Sequence, residues 1–163
     1  MKSKIEIKNN KINWVCLREK CPRSCCGSFE DRNRIYDKLF LSCFNIGHEA
    51  IFLTADDEKR IKNKKGKDFI EILKDGETYI KLNKNHSCPF LKNKLCSIYN
   101  IRPHLCRAYP FYLDLASGLN VDVFCPGIGK GWTDIKEIKE YIKAMNKVYQ
   151  TQIKLNKRNF FKE

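Results

Sequence analysis

Cysteine is the residue type whose number and spacing in this chain point to chemistry. The chain carries nine cysteines in 163 residues, and eight of them form two groups along the sequence. The first group is Cys16, Cys21, Cys25 and Cys26, and the second is Cys88, Cys96, Cys106 and Cys125. Four thiolates are the usual ligand set of a closed tetrahedral zinc site or of a cubane iron–sulfur cluster. We therefore predict that these eight cysteines bind metal.

The gaps between the cysteines argue against the most regular metal sites. No two cysteines are separated as C-x₂-C, the turn that supplies two thiolates in zinc knuckles and ferredoxin-type clusters. The adjacent residues Cys25 and Cys26 are unusual, because neighbouring side chains of an extended chain point in opposite directions. They could meet on one ion through a special turn at Gly27, or serve two neighbouring ions. The sequence leaves both arrangements open.

The ninth cysteine and the histidines are weaker ligand candidates. Cys43 lies in the apolar segment 40–44 and is predicted to be a buried packing residue. His86 and His104 each precede a cysteine of the second group by two residues, so either could replace a thiolate. A hydrogen-bonded loop histidine is the simpler interpretation of both.

The cysteine content also bears on the cellular compartment. An odd number of cysteines, and a segment Met1–Trp14 without an apolar signal core, argue against a secreted disulfide framework. A reducing cytoplasm keeps thiols free to bind metal. No run of the sequence approaches the ~18 apolar residues that a membrane helix needs. We predict a cytoplasmic protein that does not enter a membrane.

The formal net charge of +13 raises the alternative of a nucleic-acid partner. Lysine is far more frequent than arginine in this chain, whereas specific phosphate and base recognition favours the arginine fork. The glycine-rich segment 127–131 lacks the spacing of a phosphate-binding loop. Contact between the basic surface and an anionic partner or nucleic acid therefore stays an alternative.

The segments between the cysteines predict a small α+β fold. Alternating apolar residues predict short strands, and an acidic first turn after Thr54 predicts the start of a helix. The predicted elements are a strand pair within 4–15, strands at 50–53 and 78–82, helices beginning at Thr54 and spanning 68–74, a helical turn near 97–100, a hairpin of 111–115 with 119–124, and a glycine-rich loop at 125–131. At this length we expect a single domain over 1–163, with long metal-tied cysteine-rich loops.

The last element is an amphipathic helix predicted over about 134–157. Ile135, Ile138, Ile142 and Met145 recur at spacings of three and four residues, which places them on one helical face. The opposite face is rich in lysine. We interpret this helix as a scaffold element that packs onto the core.

A series of short motifs follows the order found in a known family. These motifs are Cys16…Cys21…Cys25-Cys26, Leu53-Thr54 with Asp57, Cys88-Pro89-Phe90-Leu91, Cys96-Ser97-Ile98-Tyr99, Arg102-Pro103, Cys106-Arg107, Tyr109-Pro110 and Cys125-Pro126-Gly127. Together they resemble the CxxCxxCC, or YkgJ-type, family of zinc- or iron-chelating domains, over 16–131. The chain differs from the name motif in having four and three residues in its first two gaps.

The resemblance implies zinc or iron as the metal. A similar cysteine region occurs in flagellin lysine N-methylase, which implies methyl transfer linked to an iron–sulfur centre in one relative. This chain is much shorter and has no glycine motif for S-adenosylmethionine, so we do not carry that activity over. Arg102 and Arg107 match family positions between the ligands. They would either bind an anionic cofactor or substrate beside the metal, or tie the loops together through backbone carbonyls.

Three functional hypotheses follow. The first is a protein that chelates zinc or iron, where the metal or a 4Fe–4S cluster organises the fold. The second is an iron–sulfur-dependent enzyme or electron carrier that acts on an anionic substrate. The third is a zinc-dependent nucleic-acid-binding module. The sequence leaves these three hypotheses open.

Overall fold

The computed structural model of the chain describes residues 5–21, 51–72, 76–85, 87–114, 118–123 and 125–160. Backbone contacts divide the chain into two compact units, which we call the terminal unit (Met1–Ser24 with His104–Glu163) and the central unit (Cys25–Pro103). The described residues form short antiparallel strands and three helices, so the predicted α+β class is confirmed. A single domain over the whole chain stays a prediction.

The described elements are numbered in chain order. The strands are β1 (Ile7–Lys8), β2 (Lys11–Trp14), β3 (Ile70–Ile72), β4 (Thr78–Ile80), β5 (Leu91–Lys92), β6 (Leu95–Cys96), β7 (Phe111–Asp114), β8 (Gly118–Val121) and β9 (Ile128–Asp134). The helices are α1 (Ala55–Lys65), α2 (His104–Ala108) and α3 (Ile135–Phe160). Two 3₁₀ turns lie at Arg18–Lys20 and Tyr99–Ile101. None of the helices in these described segments is long and apolar enough to cross a membrane.

A three-stranded antiparallel sheet of order β1-β2-β9 forms in the terminal unit. The turn between β1 and β2 places Asn9 and Asn10 at φ 50° and 59°, a left-handed conformation that asparagine tolerates better than most residues. The strand pair predicted within 4–15 is therefore confirmed. The loop predicted over 125–131 is wrong in its second half, because β9 begins at Ile128. Gly131 allows the strands to approach, since a Cβ there would lie 3.0 Å from the Val15 side chain.

The apolar core of the terminal unit joins this sheet to α3. Trp14 is 2% exposed and makes edge-to-face contacts with Phe111 and Tyr141, both at 5.3 Å between ring centroids. Ile128 and Ile138 complete the cluster of buried residues. Burying a large apolar side chain stabilises a fold by about 1.5–3 kcal/mol. The helix predicted over about 134–157 is confirmed, and its apolar stripe packs onto this core as expected.

The hairpin β7–β8 and the helix α2 complete the terminal unit. The hairpin register pairs Phe111 with Val121, as the alternating sequence predicts. The Tyr109 hydroxyl donates a hydrogen bond to Asp122 at 3.0 Å, and the Asp122 N–H donates to the Pro110 carbonyl at 2.8 Å. These bonds anchor the segment that leads from β8 towards Cys125.

In the central unit, α1 begins with the capping arrangement that the sequence predicts. The Thr54 side chain accepts a hydrogen bond from the Asp57 N–H, and the Asp57 carboxylate accepts one from the Thr54 N–H. Asp57 is fully buried, and the Arg60 guanidinium pairs with it at 2.5 Å. Arg60 also donates to the Arg102 carbonyl at 3.1 Å. This contact ties the start of α1 to the chain that follows the Tyr99–Ile101 turn.

The helix predicted over 68–74 is wrong. Residues Ile70–Ile72 form β3, which pairs with β4 so that Ile70 faces Ile80. β-Branched isoleucines suit a strand, and the pairing partner lies outside the local sequence window. The strand expected at 50–53 is reduced to a bridge between Phe52 and Tyr79, and the turn expected near 97–100 is the 3₁₀ turn Tyr99–Ile101.

Candidate metal centre

Six of the predicted metal ligands lie in the described part of the chain. They are the exposed Cys16, the buried Cys88, and the partly buried Cys21, Cys96, Cys106 and Cys125. The remaining predicted ligands, Cys25 and Cys26, lie outside the described residues, as do Cys43 and His86. The terminal unit contains Cys16, Cys21, Cys106 and Cys125, whereas Cys88 and Cys96 belong to the central unit.

Cys125 lies on a tightly hydrogen-bonded turn between β8 and β9. Its N–H donates to the Asp122 carbonyl at 2.9 Å, and its carbonyl accepts from the Ile128 N–H at 3.2 Å. The Gly127 carbonyl accepts from the Val15 N–H at 3.2 Å, which fastens the turn to the end of β2. A Cβ on Gly127 would lie 2.0 Å from the Val15 carbonyl oxygen, so glycine alone fits this position. The Cys-Pro-Gly sequence thus forms a rigid turn that holds the Cys125 thiol in position.

The Cys125 thiol is half-buried and accepts two N–H hydrogen bonds. The Trp14 indole N–H donates to Sγ at 3.3 Å, and the Gly127 peptide N–H donates to the same sulfur. Burial raises the pKa of the Cys125 thiol above its ordinary value, and the charges of Cys21 and Asp122 act in the same direction. The two N–H donors act in the opposite direction, because they favour the thiolate. Such donors also stabilise a thiolate that is bound to metal.

Cys16 and Cys21 follow directly on β2. Cys16 is exposed, two residues beyond the buried Trp14. The Arg18–Lys20 turn then reverses the chain, and the Cys21 N–H donates to the Arg18 carbonyl at 3.0 Å. Cys21 is half-buried and lies near enough to Cys125 for its charge to act on that thiol. Cys21 and Cys125 are far apart in sequence, and the fold of the terminal unit places them near enough for this charge effect.

Cys96 is the last residue of β6 in the central unit, and Cys88 lies three residues before β5. Cys88 is buried, and its carbonyl accepts a hydrogen bond from the Leu91 N–H at 3.0 Å. Leu91 pairs with Cys96 across the hairpin. The hairpin turn places Asn93 and Lys94 at φ 49° and 64°. The backbone therefore holds the two cysteines at this short hairpin although seven residues separate them in sequence.

The chemistry of the donors fits zinc or iron. Thiolates are the ligands that zinc and iron–sulfur clusters favour, and the described motifs supply them through their cysteines. Within the described segments, no three side chains from histidine, cysteine, aspartate and glutamate form a group that could hold a metal. Cys21 lies close enough to Cys125 for its charge to raise the pKa of the Cys125 thiol.

The predicted anion-binding arginines differ in what surrounds them. The Arg102 guanidinium donates to the Tyr99 carbonyl at 2.8 Å and lies 3.8 Å from the centroid of the Tyr99 ring. This contact favours the loop-tying interpretation of Arg102. Arg107 is the basic residue of the last turn of α2 and is partly buried. Binding of a cofactor or an anionic substrate by either arginine stays a prediction. His104 is buried at the start of α2.

Sequence analysis did not find the two residues that donate to the Cys125 sulfur. Gly127 could have been found, because a peptide N–H two residues after a cysteine can reach its sulfur in a turn such as Cys-Pro-Gly. Trp14 gives no such signal, since 111 residues separate it from Cys125. Only the pairing of β2 with β9 brings the indole to the thiol.

Cysteines on hydrogen-bonded turns of a small α+β scaffold are the arrangement expected of a cysteine-rich chelating protein. The model of the CxxCxxCC family, described as "Putative zinc- or iron-chelating domain", matches residues 15–126. The chain belongs to this family. No significant match was found among curated proteins or among solved structures.

Proposed function

We propose that this protein binds zinc or iron through cysteine thiolates and that the bound metal organises its cysteine-bearing turns. Membership of the chelating family supports the metal, and the thiol-rich donor set supports zinc or iron over hard cations. The proposed ligands are Cys16, Cys21, Cys25, Cys26, Cys88, Cys96, Cys106 and Cys125. A cytoplasmic location is part of the proposal, because a reducing compartment keeps these thiols free.

The environment of the Cys125 thiol is the observation that carries the proposal. A half-buried thiol that only filled space would have no need of two N–H donors aimed at its sulfur. A metal-bound thiolate gains from both donors, because each offsets negative charge on the sulfur. The proximity of Cys21 supplies a second thiol from a distant part of the sequence. When bound, zinc or iron would supply positive charge that draws such thiolates together.

Metal analysis of protein purified under reducing, oxygen-free conditions tests the proposal. We expect zinc or iron in a fixed ratio to protein. A colourless zinc protein would assign a structural thiolate site, whereas broad absorption at about 400 nm with bound iron would assign an iron–sulfur cluster. Protein that is free of both metals and yet fully folded would refute metal binding as the function.

Variants locate the ligands. Cys106→Ser and Cys125→Ser should each lower the metal content, because serine is a poor ligand for these metals. Cys43→Ser is the matched control and should keep the full metal content, since Cys43 is the one cysteine outside the proposed ligand set. Full metal content and an unchanged melting transition in Cys125→Ser would remove that residue from the set.

A further inference from the structure

A pocket of about 430 Å³ opens in the central unit, and no cysteine is among its described lining residues. Its apolar wall is formed by Phe69, Leu82, Pro89 and Phe90. Phe69 and Phe90 are each 8% exposed and meet edge to face, with 5.1 Å between ring centroids. A concave site with an apolar wall and a few polar groups is the usual form of a small-molecule pocket.

Backbone hydrogen bonds hold this wall in place without a ligand. The Phe69 carbonyl accepts from the Lys81 N–H at 2.7 Å, which fixes Phe69 beside the end of β4. The Phe90 carbonyl accepts from the Ser97 N–H at 2.8 Å, at the base of the β5–β6 hairpin. The two aromatic residues are thus anchored on separate hairpins, and their ring contact joins those hairpins. A wall formed in advance reduces the conformational entropy lost on binding.

Three lysines from three different elements line the same pocket. Lys65 comes from the last turn of α1, Lys81 from the residue after β4 and Lys92 from β5. Among the described lining residues Asp68 is the one carboxylate, so three positive charges and one negative charge give these residues a formal charge of +2. Within the described residues, none of the three lysines forms an ion pair with an acidic side chain. Among the described residues, no ion pair therefore neutralises the positive charge of these three lysines.

We propose that this pocket binds a phosphate monoester that carries a flat apolar group. A phosphate monoester has a charge of about −1.5 to −2 at neutral pH, which complements the lining. Lysine binds phosphate as a point charge and needs no fixed fork geometry, which suits three flexible side chains around one group. The apolar portion of the ligand would lie against Phe69, Leu82 and Pro89. The proposed contacts use no thiol, although Pro89 and Ser97 of the lining directly follow Cys88 and Cys96 in sequence.

The proposal is tested on the full, metal-loaded chain with 1-naphthyl phosphate as the probe. Isothermal titration or the naphthyl fluorescence gives the dissociation constant. Inorganic phosphate and 1-naphthol are the matched fragments, and the ester should bind at least about tenfold more tightly than either, because it makes both sets of contacts. No detectable binding of the ester, or equal binding of the ester and inorganic phosphate, overturns the proposal.

Lysine variants show whether the ester binds in this pocket. Lys65→Ala, Lys81→Ala and Lys92→Ala should each weaken binding by about fivefold to tenfold, as expected for the loss of a charge-assisted contact. The matched controls are Lys64→Ala and Lys84→Ala, because both lysines are exposed neighbours that do not line the pocket. Equal weakening in the controls and the pocket variants would assign the binding to general surface charge and overturn the proposal.

A variant of the apolar wall tests the second half of the proposal. Leu82→Ala should weaken the ester about threefold to tenfold while leaving the affinity for inorganic phosphate unchanged. Leu82 is only half-buried, so the variant should fold, and a thermal melt checks this. Unchanged affinity for the ester in this variant would overturn the role of the apolar wall.

Discussion

Replacing Arg60 with alanine should destabilise the central unit, because it leaves the Asp57 carboxylate buried without its cationic partner. The Asp57 side chain is 0% exposed, and the Arg60 side chain is 23% exposed. Removing one partner of a buried ion pair costs about 3–5 kcal/mol. Asp57 keeps its hydrogen bonds from the Thr54 N–H and hydroxyl, at 3.2 Å and 2.9 Å, which satisfy part of the carboxylate.

The expected loss in the free energy of unfolding is therefore at the low end, about 3 kcal/mol. The lost hydrogen bond from Arg60 to the Arg102 carbonyl adds little, because water can reach a partly exposed carbonyl. Urea denaturation followed by circular dichroism measures the loss. Lys64→Ala is the matched control, since Lys64 is an exposed residue of the same helix and should change stability by less than about 0.5 kcal/mol.

A second background separates charge neutralisation from simple packing. In Asp57→Asn protein the buried charge is gone, so adding Arg60→Ala should cost at least about 1 kcal/mol less than it does in the wild-type background. Equal costs in the two backgrounds, or a loss below about 1 kcal/mol in the wild-type background, would refute the argument that Arg60 acts by neutralising Asp57.

Three further changes probe the terminal unit and the metal. Trp14→Phe removes the indole donor to Cys125 and should lower metal affinity about tenfold in a competition assay with a chelator, while Trp132→Phe, at an exposed tryptophan, should not. Gly127→Ala would place a Cβ 2.0 Å from a backbone oxygen and should prevent a cooperative melt, whereas Gly131→Ala, with a closest side-chain distance of 3.0 Å, should only lower the melting temperature. Removing the metal with a chelator should lower the melting temperature of the wild-type chain, and an unchanged melt would contradict a structural metal.

The parts of the fold that the sequence predicts correctly are those set by local patterns. The apolar period in 135–149 predicts α3, and Thr54 with Asp57 forms the cap that begins α1. The turn at Asn9 and Asn10 also predicts the first strand pair, because the left-handed backbone of the turn suits these two asparagines themselves. In each case the residues that determine the element lie within it.

The errors arise where the partner of a segment is distant in sequence. Residues 68–74 have a plausible helical composition, but β3 gains its hydrogen bonds from β4. β9 contains Gly129 and Gly131, which locally favour a loop, yet it pairs with β2 across more than a hundred residues. Intrinsic propensity is weaker than tertiary pairing in both segments.

The candidate metal site, like the fold, is only partly predictable from the sequence. Residue types and motif order predict that cysteines bind zinc or iron, because thiolate chemistry is a property of the side chain itself. The sequence grouped Cys16 and Cys21 with Cys25 and Cys26, and Cys125 with the later cysteines. In the structure the charge of Cys21 acts on Cys125, so cysteines from both sequence groups lie within electrostatic range of each other. The pairing of β2 with β9, which the sequence does not predict, places the end of β2 beside the turn that holds Cys125.

The contact between Trp14 and Cys125 connects metal binding to the core of the terminal unit. The same indole that donates to Sγ fills the centre of the apolar cluster, and Cys125 packs against that cluster. Its turn is also fixed to Val15 through the Gly127 carbonyl. In the proposed ligand role, the Cys125 thiolate would take its metal-bound position only while β2, β9 and the core are assembled. Metal affinity at this residue would then include part of the folding free energy of the terminal unit.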